Sequence, residues 1–516
     1  MKVPLTVVDY LRRAELVYGE RIAFVDEPTQ PAASWGAVTY RRMAELARAQ
    51  AAGLDALGVG VGERVAIVSQ NAARLLTAFF GVSGSGRVLV PVNFRLVADE
   101  VNYIVEHSGA RVILVDPELD DALSSVKAEH RFVLGEGSDE EFLRFGVDPA
   151  PWEPDEDATG TINYTSGTTA RPKGVQLTHR SLWLNAATFG WHMGVNDRDV
   201  YLHTLPMFHC NGWGMVYAVT GMGGRHIVLR KVDGAEILRR IDEHGVTLLC
   251  GAPAVIAMVL DAAQSWKGAI PGKGTLRCVV AGAAPPTRTI ERVETELGWE
   301  FNQIYGLTET APLLTINRRR NEYDELTPAK RAAVLGRAGA PAMGVEIKIS
   351  DEGEVLARSN VIMEGYWNQP AETAKAVVDD ASGRPWFHTG DGGSLDDEHY
   401  VSISDRKKDV IISGGENVSS IEVEDALFQH PAVAEVAVIG VPDEKWGELV
   451  TALVVLAQGA SADEAELIAF TKTKLASYKC PKRIDFRTEL ARTATGKLQK
   501  FKLREPYWAG RTRKVN

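Results

Sequence analysis

The sequence predicts an α/β protein in two parts, a large N-terminal one and a small α+β one after it. Three observations carry this. Helical and strand-like apolar patterns alternate through roughly the first four hundred residues. The charged run Asp405-Arg406-Lys407-Lys408-Asp409 then interrupts them. The stretch beyond has its own helix, strand, strand, helix pattern, and 516 residues exceed what a single core usually organises.

Taken in order, the spacing predicts a helix over 40–57, a buried strand over 64–68, a helix over 71–80 and a strand over 111–115. The acidic, proline-bearing stretch 148–157 reads as a surface connection. Past the charged run, 420–428 predicts a helix, 434–440 and 449–456 predict strands, and 462–475 predicts a helix. The expected division is therefore 1–404, a hinge at 405–409, and 410–516. There is no tandem repeat and no low-complexity linker.

Composition narrows the function classes. With 45% hydrophobic and 24% charged residues the chain is ordinary for a globular protein. A formal charge of -11 argues against a general nucleic-acid binder. Cys210, Cys250, Cys278 and Cys480 are too dispersed for a disulfide framework or a clustered zinc site, which fits a reducing cytoplasm. Residues 1–13 show no secretory pattern, and no apolar run of about 20 residues predicts an integral membrane segment.

The strongest chemical signal is Tyr164-Thr165-Ser166-Gly167-Thr168-Thr169-Ala170-Arg171-Pro172-Lys173-Gly174-Val175. Hydroxyls and backbone N–H groups donate to phosphates, and Lys173 adds positive charge. The string lacks the Gly-Lys-Ser/Thr ending of a P-loop, and no Gly-x-Gly-x-x-Gly turn follows a strand. A second string, Gln303-Ile304-Tyr305-Gly306-Leu307-Thr308-Glu309-Thr310, sets a carboxylate beside hydroxyls, a donor set that suits Mg²⁺ completed by phosphate and water. Trp386-Phe387-His388-Thr389-Gly390-Asp391, with Tyr400 and Asp405-Arg406 after it, offers a carboxylate able to accept from two neighbouring hydroxyls at once. Near the end, Arg492-Thr493-Ala494-Thr495-Gly496-Lys497 places an ammonium in a Thr-Gly loop. Such a group lowers repulsion where anionic groups are brought together.

In these strings the chain resembles the adenylate-forming superfamily of acyl-CoA synthetases, carrier-protein adenylation domains and beetle luciferases, over essentially its full length. Family members usually have glycine where this chain has Ala170, which narrows the loop's backbone freedom. The resemblance implies a multi-subdomain N-terminal adenylating domain and a small mobile C-terminal domain. It implies a nucleotide site of Thr165, Ser166, Gly167, Thr168, Thr169, Lys173, Gly282, Ala283, Ala284, Gln303, Tyr305, Gly306, Thr308, Asp391, Arg406 and Lys497. Within that site Thr165 and Glu309 would hold Mg²⁺, Thr308 would touch the α-phosphate and Tyr305 would lie against adenine. Asp391 would bind the ribose with Arg406 as a second contact. Lys497, Lys173, Glu309 and His209 are the expected catalytic set.

The resemblance further implies two half-reactions, with the small domain rotating about Lys408 between them. Rotation would bring the loop around Gly414 and Gly415 to a coenzyme A channel. Trp446, Tyr478 and Lys479 would flank that ligand, with core packing an equal reading of Trp446.

The run His203-Thr204-Leu205-Pro206-Met207-Phe208-His209-Cys210-Asn211-Gly212-Trp213 resembles the acyl side of the family's site. His209, Asn211, Trp213 and Gly306 would line the acyl pocket, with Trp213 either a tunnel plug or a core residue. Together with Gly282-Ala283-Ala284-Pro285 they suggest an apolar pocket for a medium- or long-chain fatty acid, an aryl or arylpropenoic acid being the alternative.

Three function classes follow: an ATP-dependent acid–CoA ligase, an adenylating enzyme that loads a carrier protein, and a non-catalytic nucleotide-binding protein. Lys173, Glu309, Asp391 and Lys497 together speak against the third, and the acid–CoA ligase is the favoured reading, the carrier-loading enzyme the second. The expected partners are a carboxylic acid, ATP, Mg²⁺ and coenzyme A, with a homodimer left open. No Gly-x-Ser-x-Gly or His-Glu-x-x-His string supports a hydrolase or metalloprotease.

Overall fold

Strand Arg64–Val68 is buried at every position after the first, which explains why it reads as a continuous apolar run rather than an alternating one. It lies inside a seven-stranded sheet between Val88–Val92 and Ala110–Val115, parallel to both. The computed structural model describes residues 1–165, 171–406, 409–414, 416–443, 445–493 and 497–509. These form four sheets.

The seven-stranded sheet ends in the antiparallel pair Thr159–Thr165 and Lys173–Thr178, with Gly365–Tyr366 added at the edge. A nine-stranded sheet carries Leu248–Gly251, Arg277–Val280 and Glu300–Gly306 side by side and parallel. Residues just beyond the carboxyl ends of such strands are where open α/β sheets bind ligands, and Gly282 and Glu309 fall there. A five-stranded antiparallel sheet pairs the long strand Pro385–Leu395 with Val401–Arg406. That second strand carries Asp405 and Arg406, the first two residues of the charged run. The last sheet belongs to the C-terminal part and is centred on the hairpin of Val433–Asp443 and Gly447–Leu456.

Local chemistry sets the element ends. Thr39 caps helix Tyr40–Ala56 by accepting from the Arg42 N–H. The helix expected over 71–80 is Ala73–Gly81, because Asn71 serves elsewhere. Its buried amide donates to the carbonyls of His203, Leu205 and Leu229 at 2.9, 3.1 and 3.2 Å. The helix expected over 462–475 is Glu464–Lys472, started by Asp463 accepting from Glu466 N at 2.8 Å. No helix among the described residues is long and apolar enough to cross a membrane.

The C-terminal part docks on the large one through side chains. Asp425, on helix Ser420–Phe428, accepts from the backbone N–H and the hydroxyl of Thr287 at 2.8 and 3.0 Å. Arg288 donates to the His430 carbonyl at 3.3 Å.

Candidate active site

Thr165 and Lys173 face each other across the antiparallel pair of strands Thr159–Thr165 and Lys173–Thr178. Ser166, Gly167, Thr168, Thr169 and Ala170 lie outside the described residues. Both stems of the loop are tied to one helix, Ala98–Ser108, through Tyr103 and His107, which one helical turn brings to the same face. The Tyr164 hydroxyl meets His107 Nδ1 at 2.8 Å. Tyr103 donates to the Pro172 carbonyl at 3.3 Å, and Arg171 lies 5.1 Å over its ring. Burial lowers the His107 pKa, which favours the neutral imidazole beside the Tyr164 phenol.

Lys173 is bound through two residues that the sequence strings do not mark. Its ammonium pairs with Glu372 at 2.5 Å and sits 4.7 Å over the Tyr366 ring. The Tyr366 hydroxyl donates to Glu309 Oε1 at 2.9 Å. Tyr366 therefore joins the lysine of the first string to the carboxylate of the second. Its pKa is raised, by burial first and then by Glu309, so the phenol stays a donor. The turn Thr308–Thr310 packs against strand Lys173–Thr178. Gly306, just before it, has no room for a side chain, since a β-carbon there would reach within 1.6 Å of the Pro312 carbonyl oxygen.

Tyr305 and Asp391 also meet. The phenol donates to Asp391 Oδ2 at 2.8 Å, and Arg406, opposite Asp391 in the strand register, brings Nε to 3.4 Å of Oδ1. Asp391 is 5% exposed, and burial raises its pKa against the pull of Arg406, Tyr305 and Lys497. Gln303 is buried on the strand that also carries Tyr305, with Oε1 unpartnered. An orphaned buried acceptor of this kind is costly unless a ligand or water meets it.

Lys497 reaches this group from the C-terminal part. Its N–H donates to Thr493 Oγ1 at 3.0 Å and its carbonyl accepts from Thr493 N at 2.7 Å. Ala494, Thr495 and Gly496 lie outside the described residues. The Lys497 side chain runs along Gly282, whose φ of +95° and missing Cβ leave the path open. Ala283 and Ala284 are exposed beside it. Burial lowers the Lys497 pKa and Arg406 adds to this, while Asp391 and Glu309 oppose it. The structure thus gathers Lys497, Gly282, Glu309, Asp391, Tyr305 and Arg406 around one place, with Lys173 one tyrosine away.

The acyl-side residues begin with His209, whose pKa burial and then Lys497 push down to about 3. Cys210, Asn211, Gly212 and Trp213 follow with φ from +36° to +55°, a run of left-handed residues. Non-glycine residues in this region are disfavoured and are held by their surroundings. Asn211 is buried and donates to Thr161 Oγ1 at 3.0 Å, leaving its own Oδ1 unpartnered. Trp213 is 4% exposed in the main apolar cluster with Leu205, Met207 and Tyr217.

On the coenzyme A side, Gly414 N donates to the Trp446 carbonyl at 2.8 Å and the Trp446 ring covers Gly414. Trp446 is 38% exposed, so the core-packing reading of it does not hold. Tyr478 is exposed, and Lys479 Nζ is paired with both oxygens of Glu422 at 2.8 Å. No hydrogen bond or ring contact among the described residues joins Tyr478 or Lys479 to Gly414 or Trp446. Gly415 and the hinge residue Lys408 lie outside the described residues.

Comparison with known proteins agrees with this arrangement. A sequence profile described as AMP-binding enzyme matches residues 11–367, and one described as AMP-binding enzyme C-terminal domain matches 422–497. The chain is 36% identical to the 2-methylpropanoate–CoA ligase CCL4 of Humulus lupulus, over 97% of this chain and 95% of that one. It superposes on the anthranilate CoA ligase AuaEII in complex with anthranoyl-AMP with a TM-score of 0.86, at 27% identity, covering 98% of this chain and 99% of that one. The Mycobacterium tuberculosis fatty acyl CoA synthetase gives a TM-score of 0.73 at 32% identity with the same coverage. The chain therefore belongs to the AMP-binding enzyme family, within the adenylate-forming superfamily that contains the AMP-forming acyl-CoA synthetases.

Proposed function

We propose that this protein is an ATP-dependent acid–CoA ligase. A carboxylate oxygen attacks the α-phosphate of ATP to give acyl-AMP and diphosphate. The thiol of coenzyme A then attacks the acyl carbon and releases AMP. The observation that carries this reading is Lys497 lying along Gly282 in the field of Glu309 and Asp391. A positive group from the small part thus stands where charge would build up as carboxylate and α-phosphate meet.

In this reading Asp391 and Arg406 bind the ribose, Tyr305 and the unpartnered Gln303 face the base, and Thr308 reaches the α-phosphate. Gly306 and the segment Gly282–Ala284 shape the wall. Thr165 and Lys173, with Ser166, Gly167, Thr168 and Thr169 between them, wrap the outer phosphates. Thr165 and Glu309 offer one hydroxyl and one carboxylate, a sparse set that fits Mg²⁺ carried largely by phosphate and water. Bound there, the metal would supply neutralising charge to the phosphates. His209, kept neutral by burial, orients the acid rather than charging against it. The domain division proposed is 1–404 and 410–516 about a hinge at 405–409, turning at Lys408. The Gly414–Gly415 loop with Trp446, and Tyr478 with Lys479, serve coenzyme A in the second step.

For the acid we assign an aliphatic chain of medium or long length, accepted on the apolar side bounded by Trp213. The likeness to an anthranilate CoA ligase favours an aryl acid as the second reading. The deciding experiment is isotope exchange between labelled diphosphate and ATP, run across straight-chain, branched and aryl acids and followed by thioester assay with coenzyme A. Absence of acid-dependent exchange with every acid would overturn the proposal.

A further inference from the structure

One carboxylate near the nucleotide site serves two cations. Glu372, in the first turn of helix Pro370–Ala376, takes Lys173 Nζ on Oε2 at 2.5 Å and Lys375 Nζ on Oε1 at 2.6 Å. The two ammoniums together hold the Glu372 pKa down to about 2. Their settings differ. Lys173 is 18% exposed and its ammonium lies over the Tyr366 ring, whereas Lys375 is 73% exposed. Lys173 stands opposite Thr165 in the strand register. A polyphosphate that takes up the Lys173 ammonium could share it with Glu372 only by bringing like charges together.

We propose that Glu372 is a resident counter-anion for Lys173, displaced by the terminal phosphates of ATP, and that Lys375 keeps Glu372 paired after Lys173 turns away. The proposal rests on Lys173 being a phosphate ligand, as read above. Releasing one partner of an ion pair is expensive when it strands the other charge in a dry place. Glu372 is 29% exposed and keeps a second cation, so it is not stranded. The Tyr366 hydroxyl stays on Glu309 during the exchange. AMP, which lacks the outer phosphates, does not call for the exchange. Glu372 is therefore a positioning residue that favours release of diphosphate by offering Lys173 a way back.

The test is calorimetric titration of the full chain with a non-hydrolysable ATP analogue plus magnesium, and separately with AMP. Glu372→Gln is expected to tighten analogue binding about two- to fivefold, the range for a partly exposed ion pair, and to leave AMP binding unchanged. In a Lys173→Gln background the same substitution is expected to alter neither. Lys375→Gln is expected to weaken analogue binding, because Glu372 then depends on Lys173 alone. Thermal melts of each variant check that it folds, and the Lys173 dependence separates competition from a structural role. The proposal is overturned if Glu372→Gln binds the analogue no more tightly than the wild type. It is equally overturned if the gain persists without Lys173, if AMP shifts in parallel, or if Lys375→Gln has no effect. A wild-type chain that binds neither nucleotide overturns the functional reading and this proposal with it, a result separable from all the others.

Discussion

The Cε of Lys497 stands 2.9 Å from where a β-carbon would sit on Gly282, although one residue belongs to the small C-terminal part and the other follows a strand of the nine-stranded sheet. Closure of the two parts on each other thus depends on a missing side chain. Gly282→Ala is expected to push the lysine away and to slow diphosphate–ATP exchange about 10- to 100-fold, the scale for a displacement of about 1 Å at a reacting centre. Thioester formation from supplied acyl-AMP should change far less. Equal loss in both half-reactions would show instead that strain at φ +95° damages the fold.

Lys497→Ala removes the ammonium itself and should cost the first half-reaction about 10²- to 10³-fold, as for other groups that stabilise developing charge. The second half-reaction should survive. A pH dependence follows from the burial and the Arg406 charge that lower the Lys497 pKa. Because the folded pKa lies below that of a free lysine, the charged form is lost earlier as pH rises. Adenylation should therefore show a descending alkaline limb that Lys497→Arg moves upward. A limb that is identical in the arginine variant would assign it to another group.

How far the sequence foretold this site differs residue by residue. The strings around Lys173, Glu309, Asp391 and Lys497 are local, and each announced its chemistry through residue types set close together. Tyr366 and Glu372 carry no such mark. Tyr366 matters only because the edge strand Gly365–Tyr366 pairs with Lys173–Thr178, a contact between segments nearly two hundred residues apart, as the Lys173–Glu372 pair also is. The same holds for Asp425 and Thr287, which meet only because helix Ser420–Phe428 docks against the start of helix Thr287–Arg292. Secondary structure was legible where period and capping agreed. It shifted at Asn71, where a tertiary use of the side chain overrode the helical period. Trp446 could be placed only by the structure, since a tryptophan beside a glycine reads alike in a core and on a surface.

Tyr366→Phe keeps the ring under Lys173 and deletes the hydroxyl that holds Glu309. A hydrogen bond to a carboxylate in a partly buried place is worth about 1.5–3 kcal/mol when the partner is left without it. If Glu309 serves the metal, the magnesium concentration for half-maximal exchange should rise about tenfold or more, with little change in the thioester step. An unaltered magnesium titration would remove Tyr366 from that role.

Asp425→Ala breaks the two hydrogen bonds to Thr287 that pin the small part over the large one. Loss of this contact should shift the balance away from the arrangement that delivers Lys497, by about 1 kcal/mol for a solvent-accessible pair of bonds. Diphosphate–ATP exchange should fall about fivefold, whereas coenzyme A-dependent turnover of supplied acyl-AMP should hold or rise. A fall in both would place Asp425 in stability rather than in domain balance.

Acid sensitivity should come from histidines that the fold keeps neutral. His203 and His226 stack within the apolar interior, joined at 3.0 Å from Nε2 to Nδ1, and His226 Nε2 meets Thr220 Oγ1 at 3.0 Å. The Thr220 hydroxyl donates to the Val216 carbonyl, so it accepts from His226 and the chain of protons runs one way. His203 Nδ1 is left as a buried lone pair without a partner. Burial pushes His226 down to about 3 and His203 well below its ordinary value, and it brings His179 to about 4. In the unfolded chain each would titrate near 6.5, so between that value and the lowered one the unfolded state binds protons that the native state refuses. Their contribution is therefore whole above about pH 6.5 and is lost on acidification, by about 1.4 kcal/mol per group for each pH unit below it. Urea midpoints should fall steeply from about pH 6.5 to about pH 4.5, before most carboxylates protonate. His179→Gln, which removes one such group, should flatten the slope. A flat midpoint over this range would mean that the buried imidazoles accept protons without opening the core.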